Sequence, residues 1–179
     1  MHNVIEEVLV TEEQLRTRIA ELGKELAKDY EGKTPIFIGV LKGVITFFAD
    51  IVRATPIPCE YDFMAVSSYG AATISSGTID LVKDIRSDIK GRHVVILEDI
   101  LDTGHTLSFV TKLLMERGPA SLKICTLLDK PERRQAPIAA DYIGFTIPNK
   151  FVVGYGLDYN ELYRNIPYIG VLKPEVYQK

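Results

Sequence analysis

Val94-Val95-Ile96-Leu97-Glu98-Asp99-Ile100-Leu101-Asp102-Thr103-Gly104-His105-Thr106-Leu107 runs from a wholly apolar segment into two adjacent carboxylates, a third carboxylate and a small, hydroxyl-rich turn. Four branched apolar residues, Val94 to Leu97, suit a strand buried on both faces, as in a parallel sheet. Thr103, Gly104 and Thr106 put free backbone N–H groups and hydroxyls at the start of a helix predicted over residues 103–117, ended by Gly118-Pro119. Such a helix start attracts anions. Taken singly, each acid fits a polar loop after a buried strand. Packing gives no reason, however, for three carboxylates within five positions of a strand end. The whole set suits a ligand that carries a phosphate, hydroxyls and a divalent metal.

The rest of the chain alternates between the two periodicities seen there. Thr11-Glu12-Glu13-Gln14 is a capping box, and Leu15, Ile19, Leu22 and Leu26 recur at helical spacing, which predicts a helix to about Tyr30. A second helix is predicted over residues 43–53, packed with Val44, Ile45, Phe47, Phe48, Ile51 and Val52. Strands are predicted at residues 35–41, 59–67, 78–83, 93–97, 122–128, 142–145 and 151–154, and residues 130–135 read as a charged connection. Alternating strands and helices predict an α/β fold on a parallel sheet, in which ligands bind beyond the carboxyl ends of the strands. Lys42-Gly43 and the Glu98–Thr106 segment both fall at such ends. Residues 67–77, rich in Ser, Gly, Ala and Thr around Tyr69, have the composition of a mobile loop.

Length and composition narrow the classes. The chain has 179 residues, 46% of them hydrophobic and 25% charged, which predicts one domain over residues 1–179. No apolar run approaches the roughly 20 residues of a membrane span. Met1-His2-Asn3-Val4-Ile5-Glu6-Glu7 lacks the basic and apolar regions of a signal peptide, so a cytoplasmic protein is expected. A net charge of −3 gives no general attraction to nucleic acid or membrane. Cys59 and Cys125 read as two buried thiols.

The segment Glu98-Asp99-Ile100-Leu101-Asp102-Thr103-Gly104-His105-Thr106 resembles the phosphoribosyl-diphosphate (PRPP) signature of the type I phosphoribosyltransferases. The resemblance extends through Leu41-Lys42-Gly43, Ser68-Tyr69-Gly70, Lys130 and Phe151-Val152-Val153-Gly154-Tyr155-Gly156-Leu157-Asp158-Tyr159-Asn160-Glu161, in the family's order. It implies a parallel-sheet core of Rossmann-like character, with a small hood built from both termini and residues 67–77, including Ser68 and Tyr69, as a lid. It also implies a Mg²⁺-dependent purine transferase that converts hypoxanthine or guanine plus PRPP into IMP or GMP plus pyrophosphate. The family usually forms homodimers or homotetramers.

Residue by residue, the resemblance assigns the 5-phosphate to Thr103, Gly104, His105 and Thr106, with the His105 side chain either cationic or uninvolved. Glu98 and Asp99 would reach the ribose hydroxyls, directly or through Mg²⁺, and Asp158 would serve a second metal on the pyrophosphate side. Lys42-Gly43, with a cis peptide between Leu41 and Lys42, and Arg164 would hold pyrophosphate. Lys130 would read the purine's exocyclic oxygen, Phe151 would stack on the ring and Val152 would offer backbone groups to its edge, beside Asp158. Asp102 would be the general base at N7. A regulator that only senses PRPP, or a xanthine-preferring transferase, remains compatible with these residues.

Overall fold

The strand that carries the acidic signature, β5 (His93–Leu101), lies inside a six-stranded sheet of the computed structural model, which describes residues 2–68 and 79–178. The other members are β2 (Ile36–Leu41), β3 (Glu60–Ser68), β4 (Ile79–Lys83), β6 (Ser121–Asp129) and β7 (Tyr142–Thr146), in the order β4-β3-β2-β5-β6-β7. All pairings are parallel except β3 with β4. The predicted parallel sheet is present, with one antiparallel strand added at this edge. Residues 69–78 are too few for the dozen or more that a parallel crossover needs, so β4 returns antiparallel.

Both faces of β5 are covered, as its apolar run predicts. Val95 and Leu97 pack with Leu15, Leu22 and Leu26 of α1 (Glu12–Asp29) and Phe47 and Ile51 of α2 (Ile45–Ala54). Val94 and Ile96 pack on the opposite face with Leu107, Val110 and Leu114 of α3 (His105–Met115). Side chains of this size contribute about 1.5–3 kcal/mol each when fully buried, so this run anchors the layers. Thr11 caps α1 as expected: its hydroxyl accepts from Gln14 N–H at 3.2 Å, and the Gln14 side chain accepts from Thr11 N–H at 2.8 Å.

Among the boundaries that differ from the sequence reading, two bear most on the site. β5 continues past Leu97, because backbone pairing to β6 holds Glu98 opposite Thr126 and Leu101 opposite Asp129 whatever side chains they bear. α3 starts at His105 rather than Thr103, because Gly104 has φ 88°, a left-handed conformation that lies outside the helix. The strand predicted at residues 151–154 reduces to β8 (Val152–Val153). Cys125 is buried, but Cys59, just ahead of β3, is only partly so; neither is in a disulfide.

A second, three-stranded antiparallel sheet has the order β1-β9-β8, with β1 (Ile5–Val10) and β9 (Ile169–Leu172) contributed by the two ends of the chain. This is the small hood that the resemblance implies. Val153, Ile166 and Leu172 form its own apolar cluster. Among the described residues no helix is long and apolar enough to cross a membrane.

Candidate active site

At the carboxyl end of β5 the chain leaves the sheet through Asp102, Thr103 and Gly104 before α3 begins. A Cβ on Gly104 would lie 2.7 Å from the Ile138 side chain and 3.0 Å from Arg134 Cδ, so the turn needs glycine for space as well as for φ. The Thr103 carbonyl accepts from the N–H groups of Gln135 (2.9 Å) and Ala136 (3.0 Å), which pins the turn from outside. Thr103, Gly104 and Thr106 line a hollow of about 240 Å³ with Glu98 and Asp102. His105 does not line it. Its Nε2 meets the Gln135 side chain at 2.9 Å, which leaves the His105 backbone as its contribution to an anion there.

Glu98 is buried, and burial pushes its carboxyl well above the ordinary carboxylate range, with the neighbouring Asp99 adding to the rise. Glu98 Oε2 has no hydrogen-bond partner. Burial also raises Asp99, against the Ile100 N–H that donates to it at 2.8 Å and the Arg164 guanidinium nearby. Gly43 faces Asp99 so closely that a Cβ there would collide with the carboxylate. The Leu41–Lys42 peptide is cis, as the resemblance implies.

A second hollow of about 230 Å³ joins these groups to Arg164 and Asp158. Arg164 Nη1 lies 2.9 Å from Asp158 Oδ1 and donates to the Gly156 carbonyl at 2.8 Å. Lys42 Nζ lies 2.9 Å from Glu161 Oε2, and Arg164 Nη2 lies 3.5 Å from that same oxygen. Both cations assigned to pyrophosphate therefore converge on one exposed carboxylate of the chain. The donors here are all oxygens, which suits Mg²⁺. The orphaned Glu98 oxygen is the clearest place for a cation to satisfy. Among the described residues, no three His, Cys, Asp or Glu side chains gather into a metal cage.

The largest of these cavities, about 520 Å³, opens beside Asp102 and is lined by Lys130, Arg133, Phe151, Val152, Asp158 and Tyr177 among others. Lys130 is buried at the end of β6; burial lowers its ammonium, while Asp102 acts in the opposite sense. The Phe151 ring stacks on Tyr177 with centroids 4.9 Å apart and meets the edge of Tyr159 at 5.8 Å. Tyr177 thus already stacks on Phe151, which stays exposed and lines the cavity. Asp102 Oδ1 lies 3.0 Å from Arg133 Nε, yet no donor reaches it in hydrogen-bonding geometry.

The structure brings Lys42, Gly43, Glu98, Asp99, Asp102, Thr103, Gly104, Thr106, Lys130, Phe151, Val152, Asp158 and Arg164 onto the walls of adjoining hollows, while the His105 side chain turns away from them. Ser68 closes β3 opposite Ile79, while Tyr69 and residues 70–77 of the expected lid lie outside the described residues. Sequence reasoning passed over Arg133, Arg134, Tyr177 and Glu161. Only the first two left a usable signal: paired arginines a few residues after an apolar strand that ends at the ligand-binding edge.

The phosphoribosyl transferase domain matches residues 9–160. A hypoxanthine-guanine phosphoribosyltransferase of Streptococcus pneumoniae is 55% identical over 177 residues, 99% of this chain and 98% of that one. A bifunctional protein TilS/HprT of Listeria monocytogenes is 51% identical over the whole chain, which spans only 28% of that longer relative. Among solved structures, a hypoxanthine phosphoribosyltransferase from Staphylococcus aureus superposes with TM-score 0.96 at 52% identity, covering 100% of this chain and 97% of that one.

Proposed function

The chain belongs to the phosphoribosyl transferase family, and from that premise we propose that it transfers the phosphoribosyl group of PRPP to hypoxanthine or guanine, releasing pyrophosphate and forming IMP or GMP. The observation that carries this reading is the shared wall of three hollows. Asp99 lines all of them: the phosphate turn, the Lys42–Arg164 hollow and the Lys130–Phe151 cavity. A ligand with a phosphate, a ribose, a pyrophosphate and a flat base needs such adjoining compartments.

In this reading the turn at Thr103–Thr106 holds the 5-phosphate through backbone N–H groups and the N-terminus of α3. Gly43 N–H, Lys42 and Arg164 receive the pyrophosphate, and Glu161 gives way to it. Phe151 stacks on the base, Val152 supports its edge and the Lys130 ammonium donates to the 6-oxo group. Adenine would face Lys130 with a second donor and leave both unpaired, so the site selects 6-oxopurines. As the purine nitrogen attacks C1, the C1–oxygen bond to pyrophosphate breaks and Asp102 takes the N7 proton. The carboxylates of Glu98 and Asp99 favour the positive charge that develops on the ribose. Glu98 and Asp99 on the ribose side and Asp158 on the pyrophosphate side would hold Mg²⁺, which would supply positive charge against the leaving pyrophosphate. A lid over residues 67–77, with Ser68 and Tyr69, and a single domain over residues 1–179 belong to the same reading.

PRPP does not cross a bilayer unaided, so the reading goes with a cytoplasmic enzyme. Exposed Ile45 and Tyr61 on neighbouring α2 and β3 offer apolar surface for a homodimer or homotetramer.

A spectrophotometric assay with PRPP and Mg²⁺ tests the proposal against hypoxanthine, guanine, xanthine and adenine in turn. Turnover of the first two and silence with adenine are expected. Turnover of xanthine above both would shift the substrate, and silence with all four despite PRPP binding would make the protein a sensor.

A further inference from the structure

Arg134 lines neither the phosphate hollow nor the base cavity, yet its guanidinium ties together the two strand ends that frame them. Nε donates to the Asp102 carbonyl at 3.0 Å and Nη2 to the Leu101 carbonyl at 3.2 Å, both where β5 leaves the sheet. Nη2 also pairs with the Asp129 carboxylate, the last residue of β6 and the neighbour of Lys130. Nη1 donates to the Ile138 carbonyl at 2.7 Å, closing the segment back over Gly104. The Leu101 carbonyl accepts a second bond, from Lys130 N–H at 3.0 Å. A single, largely buried side chain thus fixes the backbone from which Asp102 and Lys130 both project.

We propose that Arg134 is a positioning residue that sets the spacing between the proton acceptor Asp102 and the base-reading Lys130, and so couples the purine subsite to the phosphate turn. The proposal rests on the function proposed above. Its chemistry is specific to arginine. A planar fork of five donors serves three carbonyls and a carboxylate at once, whereas a lysine ammonium offers three donors from one point. Backbone carbonyls released at a strand end let the turn drift, and a displacement of 1 Å at a reacting group costs about 10²-fold in rate.

The test compares the unsubstituted protein with Arg134→Lys, Arg134→Met and Asp129→Asn, measuring kcat and KM for hypoxanthine and PRPP, turnover of adenine, and Tm. Arg134→Lys is expected to fold, to lose about 10²-fold in kcat/KM for hypoxanthine, and to narrow the ratio of hypoxanthine to adenine turnover. Asp129→Asn, which keeps an acceptor, should move both in the same direction by less. These two variants decide the matter even where Arg134→Met fails to fold. Wild-type rate and selectivity in Arg134→Lys would overturn the proposal. So would a rate loss that leaves the hypoxanthine-to-adenine ratio fixed and merely follows a fall in Tm. Silence of the unsubstituted protein with every purine would instead remove the proposed function, and this role with it.

Discussion

The two halves of β5 share one ladder and one pleat but follow opposite rules. In Val94, Val95, Ile96 and Leu97 every side chain is fully buried against apolar neighbours from helices on either face. In Glu98 the same burial meets a carboxylate that keeps an oxygen with no partner, and Asp99 beside it is partly buried. The first half is satisfied by the fold alone. The second half is incomplete without something from outside it, since an unpaired buried polar atom costs about 1–3 kcal/mol. A strand that breaks the burial rule only at its ligand-facing end concentrates its cost where a ligand can relieve it.

The largest effect is expected where the acidic half meets the reaction. Asp102→Asn should lower kcat by roughly 10²–10⁴-fold while PRPP binding and Tm stay close to wild type. Equal activity in the variant would sink the general-base role and leave Asp102 a partner for Arg133 only. The apolar half should show the reverse signature. Leu97→Ala should lower the free energy of unfolding by about 2–5 kcal/mol, with near-normal turnover per folded molecule at low temperature. A Leu97→Ala protein of wild-type stability would show that the core tolerates a cavity here, and would break the contrast.

How far each half was legible follows from the same contrast. Hydrophobic periodicity is local, so α1 with its capping box, β2, α2 and the Val94–Leu97 run stand out in the sequence. The phosphate turn was legible because its residues are contiguous. What escaped depends on distance or on backbone. Lys42 and Glu161 pair across 119 positions, which no local pattern reports. Tyr177 reaches Phe151 from the last turn of the chain. The extension of β5 through two acids is decided by backbone pairing to β6, to which a side-chain reading is blind. Arg134 looked like part of a charged connection because its partners are mostly carbonyls, and carbonyls carry no sequence signal.

Glu98→Gln sharpens the contrast through pH. In the protein without metal, burial holds the Glu98 proton well above the ordinary value of about 4.3. The folded state therefore binds that proton more tightly than the unfolded state does. Stability is fully present while the group is protonated and falls as pH rises from the ordinary value through the raised one. Glutamine, which never ionises, should escape this fall. Its advantage in Tm should widen with pH and then level off, toward a gain of about 1–3 kcal/mol. Mg²⁺ with pyrophosphate should reverse the order by stabilising only the wild type. A pH-independent difference between the two proteins would show that Glu98 already has a partner.

The smallest effect is expected one turn further on, at His105. Its imidazole is turned to Gln135 on the surface, and the phosphate hollow is lined without it. If backbone N–H groups and the α3 terminus hold the phosphate, His105→Ala should change the KM for PRPP by no more than about two-fold, in keeping with the ±0.5 kcal/mol typical of surface substitutions. Measuring that KM for both proteins separates the two roles left open for the side chain. An unchanged KM leaves the anion to the backbone. A KM raised well beyond that range would mean that a cationic His105 joins the phosphate, and that the turn, like the acids of β5, is finished only by its ligand.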